Sequence, residues 1–284
     1  MIFLEKNFKV SVIIPVYNAA KFVRNAVESA VNLEQVGEII LVEDGSPDNA
    51  LELCVALEKE FRKVKLFQHP KGENRGAGAS RNLGIRNAEF DYVAFLDADD
   101  IYLPERFKSS KYILSNQPHV DGVYEPIGFM DESGSQILKT HKINSEISSK
   151  RLFHYLIRGK YGHFSTIAIT VRKSIFSKAG YFNEDLKLHQ DSELWLRMAY
   201  HGSLISGGFR DPVALARQHD LNRFFTTSNV KSNLKYWLAV KKYFKGKRIS
   251  LFDRMLITLK IAKLKKGIEQ ERSLIVIFSK EFMS

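Results

Sequence analysis

The chain has 284 residues, 44% of them apolar, which is enough for a large core and leaves no low-complexity tract to mark a disordered protein. The single cysteine, Cys54, excludes an internal disulfide framework, and no stretch reaches the ~20 apolar residues that span a bilayer. The net charge of +11 is unevenly placed: residues 226–284 hold 14 Lys/Arg against 4 Asp/Glu, the rest 29 against 28, so the main body is close to neutral and ill suited to nucleic acid. Met1 to Lys9 carry no run long enough for a signal peptide, which predicts a soluble, cytoplasmic protein.

Lys9 to Pro15 (KVSVIIP) predicts a first buried strand, stopped by a proline without an N–H for the ladder. Asn18 is positioned to cap the helix that follows, whose Phe22/Val23, Ala26/Val27 and Ala30/Val31 recur at helical spacing. Glu38 to Val42 predicts a second strand, closing in Glu43-Asp44-Gly45-Ser46. A helix starting at Pro47-Asp48 comes next, with Leu51, Cys54, Val55 and Phe61 inward. Val64 to Phe67 predicts a third strand, 72–78 a loop and 79–88 a short helix. The apolar run Tyr92 to Leu96 is the fourth strand. This βαβαβαβ alternation predicts an α/β fold with a mainly parallel sheet and helices on both faces.

That fourth strand runs into Asp97-Ala98-Asp99-Asp100. Ligands of open α/β sheets sit beyond the carboxyl ends of the strands, so these carboxylates would meet at the rim of a crevice. Two readings stand side by side: a divalent cation carrying a phosphorylated ligand, or Asp99 or Asp100 capping a helix that begins near Pro104. Gly76-Ala77-Gly78 is only a truncated GxGxxG, displaced from the first strand, and no P-loop occurs.

Further along, 103–116 predicts a helix. Val120 to Phe129 and Gln136 to Thr140 predict a hairpin around Asp131-Glu132-Ser133-Gly134. Ser148 to Arg158 predicts a helix with Leu152, Phe153, Leu156 and Ile157 inward, and His163 to Val171 a strand. Asp191 opens another helix, where it could act as a cap. Glu193 and Arg197 form an i,i+4 pair expected on that helix's surface.

The strings VSVIIPVYN around Pro15, VEDGSPDN (42–49), NRGAGASRNLGI (74–85) and FLDADD (95–100) resemble, in order and spacing, the successive motifs of family 2 glycosyltransferases. These are inverting, nucleotide-sugar-dependent enzymes with the GT-A fold. The likeness continues more loosely through GYFNEDL (180–186), HQDSELWLR (189–197) and RQH (217–219). It implies that residues 1–110 form a nucleotide-sugar-binding half, and that 111–225 form the acceptor and catalytic-base half of the same domain. Residues 226–284 follow as a basic amphipathic helical region.

By that resemblance Pro15, Val16 and Tyr17 hold the base and ribose of a UDP-sugar, and Asp44 accepts the ring N–H of uracil. Asn74 and Arg81 lie near the nucleotide and diphosphate, although Arg81 on its own equally suits a solvated helix residue. Asp97 and Ala98 face the ribose or sugar. Asp99, with His219, holds Mn²⁺ or Mg²⁺ against the phosphates, and Asp191 is the general base. Glu43 departs from the family's usual Asp, and Gln190 from its usual Glu. The implied reaction moves a sugar to a hydroxyl of a glycan or polyprenyl-linked acceptor, in bacterial surface polysaccharide biosynthesis.

A nucleotidyltransferase is the alternative enzyme, but it would need a Gly-rich cationic loop where Pro15-Val16-Tyr17-Asn18 stands. A non-catalytic, membrane-associated scaffold is the other. The C-terminal region predicts a helix over 230–245, a capping box at Ser250-x-x-Asp253 and a second helix ending at Lys265-Lys266-Gly267. Its lysines suit either solvated helices packed on the core or peripheral docking on an anionic inner leaflet.

Overall fold

A computed structural model describes residues 8–134, 136–141, 147–159, 163–218 and 230–281, with side chains through 270. The first half alternates as expected: β1 (Val10–Val16), α1 (Val23–Val31), β2 (Val36–Glu43), α2 (Ala50–Glu60), β3 (Val64–Gln68), α3 (Ala77–Asn87) and β4 (Tyr92–Phe95). A two-residue strand β5 (Ile101–Tyr102) precedes α4 (Lys108–Asn116). Then come β6 (Gly122–Tyr124), β7 (Ile127–Met130), β8 (Ile137–His141), α5 (Ser149–Arg158), β9 (Ile169–Arg172), α6 (Ile175–Ala179), α7 (Gln190–His201), β10 (Leu204–Ser206) and β11 (Ala214–Arg217). Helices α8 (Val230–Tyr243) and α9 (Leu251–Glu281) complete the described chain.

The main sheet has seven strands in the order β10-β6-β9-β4-β1-β2-β3. All neighbours run parallel except β9, which is antiparallel to both β4 and β6. Because side chains alternate along a strand, each buried strand feeds two cores. Val12, Ile14, Ile39 and Leu41 pack with α1 and α2 on one face, while Ile13, Ile40, Val93 and Phe95 pack with α3, α5 and α7 on the other. Tyr236, Trp237 and Val240 of α8, Phe244 just past its end, and Ile257 and Ile261 of α9 join that second core, so both C-terminal helices rest on the body.

Several local expectations give way. Val120 to Phe129 is not one arm of a hairpin: Gly122–Tyr124 joins the main sheet, and only Ile127–Met130 pairs with Ile137–His141. Pro126, which cannot donate to a ladder, sits at the switch into a second, four-stranded sheet β5-β11-β7-β8. Asn18 caps nothing; it takes φ 52° in the loop, and the residue before α1 is Phe22. Helix α9 runs past Gly267, since one mid-helix glycine costs only about 1 kcal/mol. The expected boundary at 110 falls within α4, and the one at 225 lies outside the described residues.

Helix α3 carries only two large apolar side chains, Leu83 and Ile85, and lies close on the sheet at its small Gly84. A Cβ on Gly84 would stand 2.4 Å from Ile13 Cγ2. Gly84→Ala should therefore lower stability by about 1–3 kcal/mol despite the gain in helix propensity, read from the shift of the urea midpoint.

Candidate active site

The carboxyl ends of β1, β2 and β4 open onto a cleft of about 540 Å³ whose far wall is the start of α7. Pro15, Val16, Tyr17, Asp44, Arg81, Asp97, Ala98, Asp99 and Asp191 all line it. Asn74 does not: it is exposed on the 72–76 loop outside the lining. His219 lies outside the described residues.

Asp44 sits at the end of β2, 2% exposed, and its carboxylate binds the loop that leads into α3. Its Oδ1 accepts the N–H of Arg75 and its Oδ2 that of Gly76, both at 2.8 Å. Oδ1 also faces the buried His69 ring, whose Nε2 lies 3.5 Å away, so the acceptor direction left for a further donor is on Oδ2. The turn that places it needs Gly45, with φ +68° and a backbone carbonyl 2.5 Å from where a Cβ would stand. Glu43, the departure from the family pattern, is buried and structural: it accepts from Ser46 N–H and from the Gln68 amide. Burial pushes its carboxyl up, but those hydrogen bonds outweigh it and hold the pKa below the ordinary value.

Arg81 is buried rather than solvated, and donates to Asp97 Oδ1 at 2.5 Å. The Asp97 side chain remains 37% exposed toward the cleft. Asp100 turns the other way and accepts Arg217 N–H at 2.9 Å. Burial first, then the charges of Asp99 and Asp97, hold its carboxyl well above the ordinary value. Arg217 Nε also donates to the Asp99 carbonyl at 2.9 Å. These two bonds tie β11 to the acidic loop and set its shape. Neither Asp99 nor Asp100 caps a helix, because β5 follows directly and α4 begins only at Lys108.

Asp191 lies in the first turn of α7, with His189 at the cap position, so it is not the cap. Its Oδ1 accepts Ser192 N–H at 2.7 Å and its Oδ2 stands 3.4 Å from Thr166 Oγ1. His189 holds φ 62°, a left-handed conformation that turns the chain into the helix. Burial lowers its pKa, with Asp191 opposing. Gln190 is buried against α3, where a Cβ on Gly78 would come within 2.6 Å of its Oε1.

Sequence reading missed Thr166, Lys187, Leu188, His189 and Phe22 as cleft residues. Only their placement in the fold reveals them. The Glu193–Arg197 pair is also not on the surface: the two are 2% and 4% exposed, and Arg197 further donates to the carbonyls of Ala179 and Tyr181.

Among the described residues no group of three or more His, Cys, Asp or Glu is arranged to hold a metal. Asp99 and Asp97 supply hard oxygens at the cleft, with Asp97 already held by Arg81. Such a donor set fits an ion that takes one or two carboxylates and completes its shell with phosphate oxygens and water.

This architecture is that of a GT-A glycosyltransferase. The sequence profile of glycosyl transferase family 2 matches residues 11–178, more than half of the chain, and the protein belongs to that family. An uncharacterized glycosyltransferase of Rickettsia felis is 34% identical over 192 residues, covering 66% of this chain and 31% of that protein. The chain thus spans about a third of the length of that relative. The minor teichoic acid biosynthesis protein GgaA of Bacillus subtilis is 26% identical over 212 residues, 70% of this chain and 46% of its own. Among solved structures, S. aureus TarS 1-349 in complex with UDP-GlcNAc superposes with a TM-score of 0.67 at 17% identity, covering 88% of this chain and 70% of that one. This last likeness is one of fold.

Proposed function

We propose that the protein is an inverting glycosyltransferase that moves a sugar from a UDP-sugar to a hydroxyl of a glycan or polyprenyl-linked glycan in bacterial surface polysaccharide biosynthesis. The observation that carries this reading is one cleft with Asp97 and Asp99 on the sheet side and Asp191 on the α7 side. The donor lies along the strand ends, with uracil against Pro15 to Tyr17 and its ring N–H on a remaining lone pair of Asp44. Asp97 and Ala98 face the ribose or sugar, and Arg81 orients Asp97.

Asp191 takes the proton of the acceptor hydroxyl as its oxygen bonds to the anomeric carbon and the bond to the UDP oxygen breaks. One displacement, with no enzyme nucleophile, inverts the anomeric configuration. Asp99 would hold Mn²⁺ or Mg²⁺, which supplies charge stabilisation for the departing diphosphate. The fold likeness to a UDP-GlcNAc-bound protein and the relative in teichoic acid biosynthesis support the donor and pathway classes.

A thermal-shift screen of nucleotide sugars with and without Mn²⁺ tests the donor assignment. A UDP-sugar at a hundred times its Kd should add about 2.7 kcal/mol to stability and raise Tm by several degrees, whereas GDP- and ADP-sugars should not. A response confined to another base would overturn it. Asp99→Ala should weaken Mn²⁺-dependent UDP binding at least roughly tenfold in calorimetry. An unaltered Mn²⁺ dependence would remove that role from Asp99.

A further inference from the structure

Residues two apart on an α-helix point about 200° away from each other, so the two sides of α9 can be compared directly. Asp253, Ile257 and Ile261 face inward at 4%, 2% and 6% exposure. Two positions earlier in each case stand Leu251, Met255 and Leu259, which are 84%, 48% and 55% exposed. A soluble helix normally carries polar residues on that side, and here it carries an apolar row. Lys266 continues the row two turns on, while Arg254 and Lys263 flank it, all three exposed.

Residues 230–270 hold 12 Lys/Arg and only two acids. One of those, Asp253, is buried and bonded to His154 and to Ser250. The outer surface of the helix pair is therefore cationic almost without opposition. A second copy packed isologously on this row would set like charges against one another. An anionic surface with an apolar interior complements both features. No helix among the described residues is long and apolar enough to cross a membrane, so α9 would lie on a bilayer rather than through it. The same helix pair reaches the cleft, since Ser232 Oγ of α8 lies 3.5 Å from His189 Nε2.

We infer that the outward face of α9 docks the protein on an anionic lipid bilayer, with Leu251, Met255 and Leu259 entering the headgroup boundary and the flanking cations meeting lipid phosphates. This stands apart from the assignment of sugar transfer, because it is read with no donor or acceptor present. The experiment is flotation of the full chain with vesicles of phosphatidylcholine alone or containing phosphatidylglycerol, with light scattering on the free protein.

The chain should float with the phosphatidylglycerol vesicles, release them at high salt, and leave the neutral ones unbound. The double variant M255Q/L259Q should bind at least roughly tenfold more weakly. The double variant K263E/K266E should lose roughly a hundredfold or more. Both variants should keep the parent's Tm, since none of the four side chains is buried. Absence of flotation, equal binding to neutral vesicles, or a dimer that M255Q/L259Q converts to monomer would each overturn the inference; the last would make this face a contact between copies.

Discussion

Replacing Asp191 by Asn will lower kcat for sugar transfer by roughly 10²–10⁴, the range that a positioned general base contributes, while the Kd for UDP changes by less than about threefold. Asn preserves the shape of the side chain and an oxygen for Ser192 N–H, which lies 2.7 Å from Asp191 Oδ1. It cannot take a proton from an alcohol. UDP is expected along the strand ends, with the Asp191 carboxylate across the cleft on the acceptor side, so donor affinity should be little affected. A purely helix-stabilising Asp191 makes the opposite forecast. A carboxylate in the first turn of a helix is worth about 0.3–1 kcal/mol, so the variant would then lose a few degrees of Tm and keep its rate. Steady-state kinetics beside calorimetry with UDP separate the two. Transfer within tenfold of the parent would end the assignment.

The acids that line the cleft were legible because strands buried on both faces are written as unbroken apolar runs, and such runs end abruptly where the chain meets solvent. Val93 to Leu96 followed by three carboxylates is such an ending. The same logic located the end of β2 at Glu43-Asp44. What escaped was anything set by which elements lie over the sheet. Arg81 reads as solvated because its neighbours are Ala79, Ser80 and Gly84. Those small residues are what let α3 sit so close that the guanidinium is enclosed. Thr166 belongs to no motif. It reaches Asp191 only because β9 runs antiparallel between β4 and β6, and that reversal has no local signature. The break of Val120 to Phe129 into two sheets did have one, in Pro126, outweighed by the apolar residues on either side. Asn74 carries a motif position onto an exposed loop, where spacing alone gives no distance to the cleft.

Arg197→Met should cost about 3–5 kcal/mol, because it strands the buried charge of Glu193. In sequence the pair Glu193 and Arg197 is a routine i,i+4 contact worth a few tenths of a kcal/mol. In the fold α7 is packed against α5, α6 and α8, so both residues are enclosed and water reaches neither. Arg197 Nε lies 2.9 and 3.0 Å from the two Glu193 oxygens, with Nη2 2.6 Å from Oε2. The same guanidinium satisfies the carbonyls of Ala179 and Tyr181, where the chain turns through Gly180 at φ +78°. Methionine fills most of the volume but supplies no donor, leaving a carboxylate and two carbonyls without partners. Adding Glu193→Leu removes the stranded charge and should recover part of the loss, leaving mainly the two carbonyls, about 1–3 kcal/mol each at most. Urea denaturation followed by circular dichroism reads the series, with m values held equal to guard the two-state comparison. A loss below about 1 kcal/mol for the single variant, or no recovery in the double, would mean that water enters this site. Below the variant's melting range transfer should stay within a few-fold of the parent, since neither side chain lines the cleft.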